Sequence, residues 1–387
     1  MSVMCPQRER GFSLVELLVS TSLMLVVMAS VFQAMNPAHG AFRVEPETAD
    51  VQQRLRAAAG ALRKELLVAG GGTSQGRNAG PLIDFSAPIL PFRQGRRRAD
   101  LPGSYRSDTV TVFHVNSGAA QTTIAQTLVA RSSAVQVNLE PGCPPGDPVC
   151  GFRSGMDVLV FDGSGSYDAF TIASVDGFAL NLQHNARDSS KAYAPSVSRI
   201  VEATSRTYFL KADSATDTYQ LMRYDGAGGA DVPVVDHVVG LSFDYFGDPQ
   251  PPLMRRPLTD PSGPWTTYGP TPPESGENCV FVANGSPTPA PRLPVLTSGS
   301  GLVPLTAADL SDGPWCPDGV DPNRYDADLL RIRSVAVTLR VEAAPSTLRG
   351  PAGVLFNRAG TSTGGRAFVP DQEIRFEVAP RNLNLRR

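Results

Sequence analysis

The sequence lacks an excess of charge of either sign, and it has few histidines and cysteines, the usual zinc ligands. Its 35 lysines and arginines nearly balance its 37 aspartates and glutamates, giving a formal net charge of −2. A chain this close to neutral gives no global electrostatic argument for a nucleic-acid partner. The four histidines are scattered without metal or triad spacing, and no two of the five cysteines form a C-x2-C pair. Composition therefore indicates neither a metal-dependent nor a nucleic-acid-binding class.

Glycine and proline, in contrast, are abundant, with 36 and 34 residues respectively. Such frequent turn and breaker residues favour many short strands and loops over long helices. The chain of 387 residues is long enough for one large or two ordinary domains, each with a substantial buried core.

The N-terminal region contains one long apolar segment with a single charged side chain. Between Phe12 and Phe42 that charge is Glu16. A helix over Phe12–Met35 would be about 36 Å long, enough to cross the hydrocarbon core of a bilayer. Two arginines lie just before it, at positions 8 and 10. The positive-inside tendency therefore places the N-terminus in the cytoplasm and the remainder outside.

The stretch "GFSLVELLVS", which begins at Gly11, resembles the class III signal of type IV prepilins and type II secretion pseudopilins. The resemblance implies that prepilin peptidase removes residues 1–11 by cutting after Gly11 on the cytoplasmic face. It also implies N-methylation of the new N-terminal residue, Phe12, and an inner-membrane location before assembly. The acid that this family carries five positions after the cut corresponds to Glu16.

A physical role for Glu16 follows from its surroundings. A lone carboxylate inside hydrocarbon costs several kcal/mol unless it is paired or neutralised. Cleavage would create an α-amino group on Phe12 at the same depth, and Glu16 could pair with it in the same chain or on a neighbouring helix. Such pairing would fix the axial register of packed helices, because a shifted helix leaves both charges unpaired. The alternative is an acid that extends to the membrane interface.

Prolines follow the apolar segment at positions 37 and 46, where they predict an interruption or kink. The sequence thus predicts a membrane or filament-core helix over 12–36 and a separate amphipathic helix over 46–70. The second helix carries an apolar stripe at spacings of three or four residues, and the glycines at 70–72 would end it. The stripe consists of Val51, Leu55, Ala58, Leu62 and Leu66.

From about residue 71 the hydrophobic period shifts towards two, which indicates strands joined by glycine-rich turns. We therefore predict an α+β fold in which the long N-terminal helix packs on an antiparallel β-sheet head over 71–387. In the prepilin resemblance this is the type IV pilin-like fold. Residues 248–328 form a stretch rich in Pro, Gly and Ser that is too long for a connecting loop, so it is interpreted as an insertion.

Removal of residues 1–11 would take Cys5 away and leave four cysteines, enough for two disulfides. Cys143 and Cys150 bracket the turn "CPPGDPVC", which suits a small closed loop. Cys279 and Cys316 would then pair across the insertion. Free thiols remain an alternative, but disulfides and an oxidising compartment are the preferred interpretation.

An oxygen-rich run near the end of the insertion is a candidate calcium site, and some pseudopilins use calcium. Its spacing departs from the EF-hand pattern, and turn-forming aspartates explain the run equally well. No other cofactor is predicted. The candidate ligands are Asp318, Asp321, Asn323, Asp326 and Asp328.

Two further motifs have simpler interpretations. "GTSTG" (360–364) matches the nucleophile-elbow pattern around Ser362, but the flanking residues predict a loop rather than a strand and a helix. "FRQGRRR" (92–98) is a basic run that could contact phosphates. A solvated loop or a contact with an acidic subunit is the preferred interpretation, so a nucleic-acid partner is not expected.

Residues 197–247 and 329–387 loosely resemble PilW-type minor pilins and J-type pseudopilins. The residues that carry this likeness are Arg206, Tyr208, Leu210, Leu221, Arg223 and Tyr245. The resemblance implies a non-enzymatic minor pilin of a filament tip or initiation complex with a role in assembly. Adhesion and motility are further roles that the resemblance allows. Its implied partners are other minor pilins, the major pilin, prepilin peptidase, an assembly ATPase and a tip adhesin.

That resemblance also implies a final location on the pilus at the surface of a Gram-negative-type bacterium. The main alternative is a J-like pseudopilin at the tip of a type II secretion pseudopilus. A membrane-anchored periplasmic hydrolase using Ser362, and a binding module within 248–328, including one for DNA uptake, are the remaining alternatives.

Overall fold

The structure is a computed structural model. It describes residues 12–72, 87–94, 100, 104–116, 118–129, 134–162, 167–184, 192–195, 197–225, 231–250, 281–282, 290–291, 295–311, 315–316, 325–362 and 368–384.

A single helix, α1 (Leu14–Val68), contains 55 residues and is about 82 Å long at 1.5 Å per residue. The interruption expected at Pro37 and Pro46 does not occur, since both residues lie within this helix. An internal proline removes one backbone hydrogen bond and its ring crowds the carbonyl four residues earlier, yet the helix continues through both positions. The two predicted helices are therefore one continuous element.

The apolar stripe of α1 is confirmed. Val51, Leu55, Ala58, Leu62 and Leu66 are all buried, whereas the residues between them are mostly exposed or half-buried. This is the pattern of an amphipathic helix that packs one face against a core.

The C-terminal end of α1 is closed by a glycine and by a side chain from the end of the chain. Gly70 has φ +73°, and a Cβ placed there would come within 2.9 Å of the Leu383 side chain. The Asn382 amide donates to the carbonyl oxygens of Val68 (3.3 Å) and Ala69 (3.1 Å). These bonds satisfy carbonyls that no longer have a partner within the helix.

The chain forms two compact units. One contains the chain up to Gln53 together with Glu342–Asp371, and the other contains Arg54–Val341 together with Gln372–Arg387.

All the described strands lie in the second unit, and every described pairing is antiparallel. With α1 they confirm the α+β class. Their bounds are β1 (Ile89–Leu90), β2 (Thr109–His114), β3 (Gln121–Thr123), β4 (Ala134–Gln136), β5 (Asp157–Asp162), β6 (Tyr167–Asp176), β7 (Ala179–His184), β8 (Ser198–Glu202), β9 (Thr204–Asp213), β10 (Thr218–Tyr224), β11 (Val232–Asp236), β12 (Val238–Gly247), β13 (Phe281–Val282), β14 (Ala290–Pro291), β15 (Val303–Leu305), β16 (Trp315–Cys316), β17 (Tyr325–Asp326), β18 (Ile332–Val341) and β19 (Gln372–Val378). Short 3-10 helices occur at Ala327–Arg331, Ser346–Leu348 and Asn382–Asn384.

Two sheets form the body of the second unit. One has the order β1-β2-β9-β10-β11 and the other β15-β12-β18-β19. β15 lies within the predicted insertion over 248–328, yet it pairs with β12, since Leu305 is opposite Tyr245. Two short pairs, β13–β14 and β16–β17, also fall within that segment, most of which lies outside the described residues.

The third sheet, in the order β3-β8-β5-β6-β7-β4, closes into a six-stranded barrel. Two backbone hydrogen bonds join its ends: Ala125 N–H donates to the Gln136 carbonyl (2.7 Å), and Asn138 N–H donates to the Thr123 carbonyl (3.0 Å). The barrel lies in sequence between β2 and β9, which are themselves paired from Thr109↔Phe209 to His114↔Thr204. It is thus inserted into an antiparallel strand pair, which sequence patterning did not predict.

The barrel interior is an apolar cluster that includes Phe152, Phe170 and Tyr193. The predicted Cys143–Cys150 disulfide forms here and closes the "CPPGDPVC" loop. Cys279 lies outside the described residues, and only the backbone of Cys316 is described, so the second pairing stays a prediction.

Replacing Phe152 with alanine should destabilise the protein by about 3–5 kcal/mol, because the ring is fully buried in the barrel and its removal leaves a cavity. Chemical denaturation of the purified chain measures this loss. The matched control is Phe178→Ala, on the exposed turn between β6 and β7, which should change stability by less than about 0.5 kcal/mol. Equal losses for the two variants would contradict the barrel core.

Candidate functional site

The N-terminal turn of α1 carries the residues of the predicted signal. The Leu17 N–H donates to the Ser13 carbonyl at 3.1 Å, so Ser13 occupies the N-cap position and Glu16 is the third helical residue. This S-x-x-E spacing is that of a capping box, and the helix dipole favours a carboxylate in the first turn. Glu16 therefore also suits the helix N-terminus, a role that the sequence "SLVE" could have revealed. Gly11 lies outside the described residues.

The first part of α1 is apolar on every side and exposed on every side. Leu14–Gln33 is long and apolar enough to cross a membrane, and none of it is buried. Soluble proteins rarely expose a continuous apolar surface of this size, so this segment needs lipid or other apolar helices around it. Its large exposed side chains include Leu17, Leu18, Leu25, Val26 and Phe32.

The hydroxyl groups in this segment are satisfied by the helix itself. Ser20 donates to the Glu16 carbonyl (2.7 Å), Thr21 to the Leu17 carbonyl (2.9 Å) and Ser30 to the Val27 carbonyl (2.8 Å). Hydroxyls bonded in this way do not need a partner outside the helix. The Glu16 side chain is thus the one charged group of Leu14–Gln33, and it takes part in none of the ion pairs among the described residues.

A different carboxylate attaches the C-terminal part of α1 to the five-stranded sheet. Glu65 is buried, and its Oε2 accepts a hydrogen bond from Arg206 Nη1 at 3.0 Å. The Tyr208 hydroxyl lies 3.5 Å from the same oxygen, and His114 Nδ1 lies 3.5 Å from Oε1. Arg206 and Tyr208 are on β9, and His114 ends β2. One helix residue therefore contacts two adjacent strands of the sheet, β2 and β9.

The burial of this cluster changes its acid–base behaviour. Burial is the largest cause that raises the pKa of Tyr208 to about 12, and the negative charge of Glu65 adds to it. Burial is also the main cause that lowers the pKa of His114, with Arg206 adding to the effect and Glu65 opposing it. His114 is thus a buried strand histidine whose neutral form is favoured.

The calcium prediction is tested at one of its residues only. Asp318, Asp321 and Asn323 lie outside the described residues, and only the backbone of Asp326 is described. Asp328 is buried and ion-paired with the fully buried Arg331. Within the described residues there is no group of three or more His, Cys, Asp or Glu residues that could hold a metal ion.

The two remaining motifs lie in irregular segments. Ser362 is half-buried in a loop, where its N–H donates to the Arg349 carbonyl at 3.2 Å, so the strand required before a nucleophile elbow is missing at this described position. Arg93, from the basic run, is buried, with its guanidinium 3.8 Å above the Phe209 ring. This stacking withdraws Arg93 from any phosphate contact. Arg96–Arg98 lie outside the described residues.

The stability of the protein should fall as the pH decreases below about 6.5, the value for an unperturbed histidine. The pKa of His114 is lower in the folded chain, so the unfolded chain binds more protons in that range and acid favours unfolding. In the variant His114→Gln, the free energy of unfolding should fall less steeply with decreasing pH, by at most about 1.4 kcal/mol per pH unit. Denaturation curves recorded between pH 7.5 and 5 measure how the free energy of unfolding depends on pH.

The control for this prediction is His237→Asn. His237 has φ +59°, a conformation that asparagine tolerates, and it lies in a turn between β11 and β12. The control should keep the pH dependence of the unmodified chain. An identical pH profile for His114→Gln and the unmodified chain would contradict the assignment to His114.

Comparison with known proteins bears on the N-terminal segment. The family model described as the prokaryotic N-terminal methylation motif matches residues 6–32. No curated protein and no solved structure matches the chain. The chain carries a prepilin-like class III signal followed by an apolar helix, a combination that fits type IV pilin-like and pseudopilin-like proteins in general.

Proposed function

We propose that this chain is a PilW-type minor pilin, a structural subunit of the tip or initiation complex of a type IV filament. The observation that carries the proposal is the continuity of α1. The helix begins at the methylation motif, runs fully exposed through Leu14–Gln33, and continues without interruption to the buried stripe that ends at Leu66. A single continuous helix therefore connects a segment that requires apolar surroundings to a folded head.

In this proposal prepilin peptidase cuts after Gly11 on the cytoplasmic side, and Phe12 becomes the methylated N-terminus. Glu16 then lies one helical turn from a cationic amine in an apolar environment. A carboxylate there costs several kcal/mol when it is unpaired. Pairing with the amine of its own or a neighbouring helix removes that cost at one axial position only, so Glu16 sets the register of assembly.

The size of the head favours a terminal position in the filament. Besides the two central sheets, it contains the inserted barrel and the segment over 248–328. A head with these additions is harder to stack repeatedly than a small subunit, so few copies per filament are expected. Other minor pilins, the major pilin and a tip adhesin are its proposed partners, in the inner membrane before assembly and on the cell surface afterwards.

The same motif fits a J-like pseudopilin at the tip of a type II secretion pseudopilus equally well. Gene neighbourhood distinguishes the two systems. A retraction ATPase and an adhesin nearby favour a pilus, whereas a secretin with pseudopilins favours secretion.

We also propose that the chain has no catalytic activity of its own. Among the candidate groups, Ser362 lies in a loop that lacks a preceding strand, and Asp328 is neutralised by Arg331. Peptidase and ATPase activities belong to separate partners.

Replacing Glu16 with alanine should leave cleavage intact and reduce incorporation into filaments by at least about tenfold, because the register charge is lost. Immunoblotting of sheared-filament and membrane fractions measures the share of the protein that is incorporated into filaments. Ser20→Ala is the matched control in the same segment, since the Ser20 hydroxyl bonds only the helix's own carbonyl in the described structure. Normal incorporation of the Glu16 variant would contradict the proposed role.

A further inference from the structure

The segment between β18 and β19 forms a long loop whose ends are adjacent, since Val341 is paired with Gln372. Its chain is fastened across itself by backbone hydrogen bonds. Gly360 N–H donates to the Gly350 carbonyl at 2.8 Å, and Val369 N–H donates to the Leu348 carbonyl at 2.9 Å. The described parts of this loop, 342–362 and 368–371, are therefore held together as a defined structure.

A buried carboxylate holds the base of this loop. Glu342 is fully buried, and its oxygens accept hydrogen bonds from Arg349 Nη1 (2.6 Å) and from Arg358 Nε (2.9 and 3.1 Å). Buried ion pairs contribute little net stability, because desolvation of the charges offsets their attraction. What such a network does supply here is a fixed geometry for the segment between the two arginines.

That segment presents two large apolar side chains to solvent. Val354 is 93% exposed and Leu355 57% exposed, while the next residue, Phe356, is buried and packs edge-to-face on Phe368. The Gly353 N–H donates to the Phe356 carbonyl at 2.8 Å and closes the tip, and the Leu355 carbonyl accepts from the Asp371 N–H at 3.0 Å. Apolar side chains held on a rigid turn lose little conformational entropy when a partner covers them.

The root of the loop is attached to α1. The Ala344 N–H donates to Glu47 Oε1 at 2.7 Å. Glu47 lies 14 residues after Gln33, the last residue of the candidate span, which corresponds to about 21 Å along the helix axis. The headgroup layer adds only about 5–7 Å on each side of the hydrocarbon core. The attachment point is thus well beyond a membrane surface, and lipid is a poor occupant for the tip.

A protein whose helix packs beside the exposed part of α1 could extend as far as Glu47, where the loop is attached. In the proposed filament the neighbour is another pilin-like subunit, and a helix built like α1 and parallel to it would also extend past the height of Glu47. The subunit that carries this second helix is then in position to contact the loop.

We propose that Val354 and Leu355 form a docking tip for a neighbouring pilin-like subunit whose N-terminal helix runs parallel to α1. This inference rests on the proposed function and adds a specific contact in the head to the helix contacts. The tip fits a shallow apolar depression on that neighbour, because it offers two aliphatic side chains and no charge.

The test is photo-crosslinking in assembled filaments from cells. A photoreactive phenylalanine analogue replaces Val354 in one variant and, as the matched control, Phe178 in another; Phe178 is 61% exposed on the barrel. The expected result is an adduct from position 354 with a second chain that mass spectrometry identifies as carrying the N-terminal methylation motif, and none from position 178. Adducts only with lipid, or no adduct from position 354, would overturn the docking tip.

A second variant separates this inference from the proposed function. Val354→Ser combined with Leu355→Ser should keep cleavage and thermal midpoint unchanged, since both side chains are exposed, and should lower incorporation into filaments by about tenfold. Phe178→Ser should not lower it. Normal incorporation of the double variant overturns the docking tip and leaves the minor-pilin proposal standing. An unprocessed N-terminus in the unmodified chain overturns both.

Discussion

The structure depends on one constraint: a single helix must be stable in two environments. Leu14–Gln33 is exposed and apolar around its whole circumference, which requires lipid or other helices, whereas the stripe from Val51 to Leu66 buries only one face. Because α1 is continuous, the exposed apolar segment and the buried stripe belong to one element of the chain.

Buried or apolar-embedded carboxylates recur along this chain, and each has a different neighbour. Glu65 is held by Arg206 at the helix–sheet contact, and Glu342 by Arg349 and Arg358 in the long loop. In both cases the folded chain supplies the cation. Glu16 differs, because no charged residue of the segment Leu14–Gln33 can pair with it. A cation created by cleavage fits that requirement, which gives the proposed processing step a physical consequence.

The sequence predicted the features that depend on local pattern. The apolar stripe of α1 followed from its spacing, and the Cys143–Cys150 disulfide from a short proline- and glycine-rich loop. The features that depend on distant pairing could not be predicted. Closure of the barrel rests on Ala125 and Asn138 meeting β4 and β3, and alternating strands look alike whether a sheet is open or closed. Helix continuity through Pro37 and Pro46 was not predicted, because an internal proline is expected to interrupt or kink a helix.

The central claim is that α1 begins, in the mature protein, at a cleaved and methylated residue. Intact-mass and N-terminal peptide mass spectrometry of the protein from its own cells measures this directly. The account predicts loss of residues 1–11 and a singly methylated Phe12 at the start of the chain. An intact residue 1, or a cut after the apolar segment near Ala34, would contradict it.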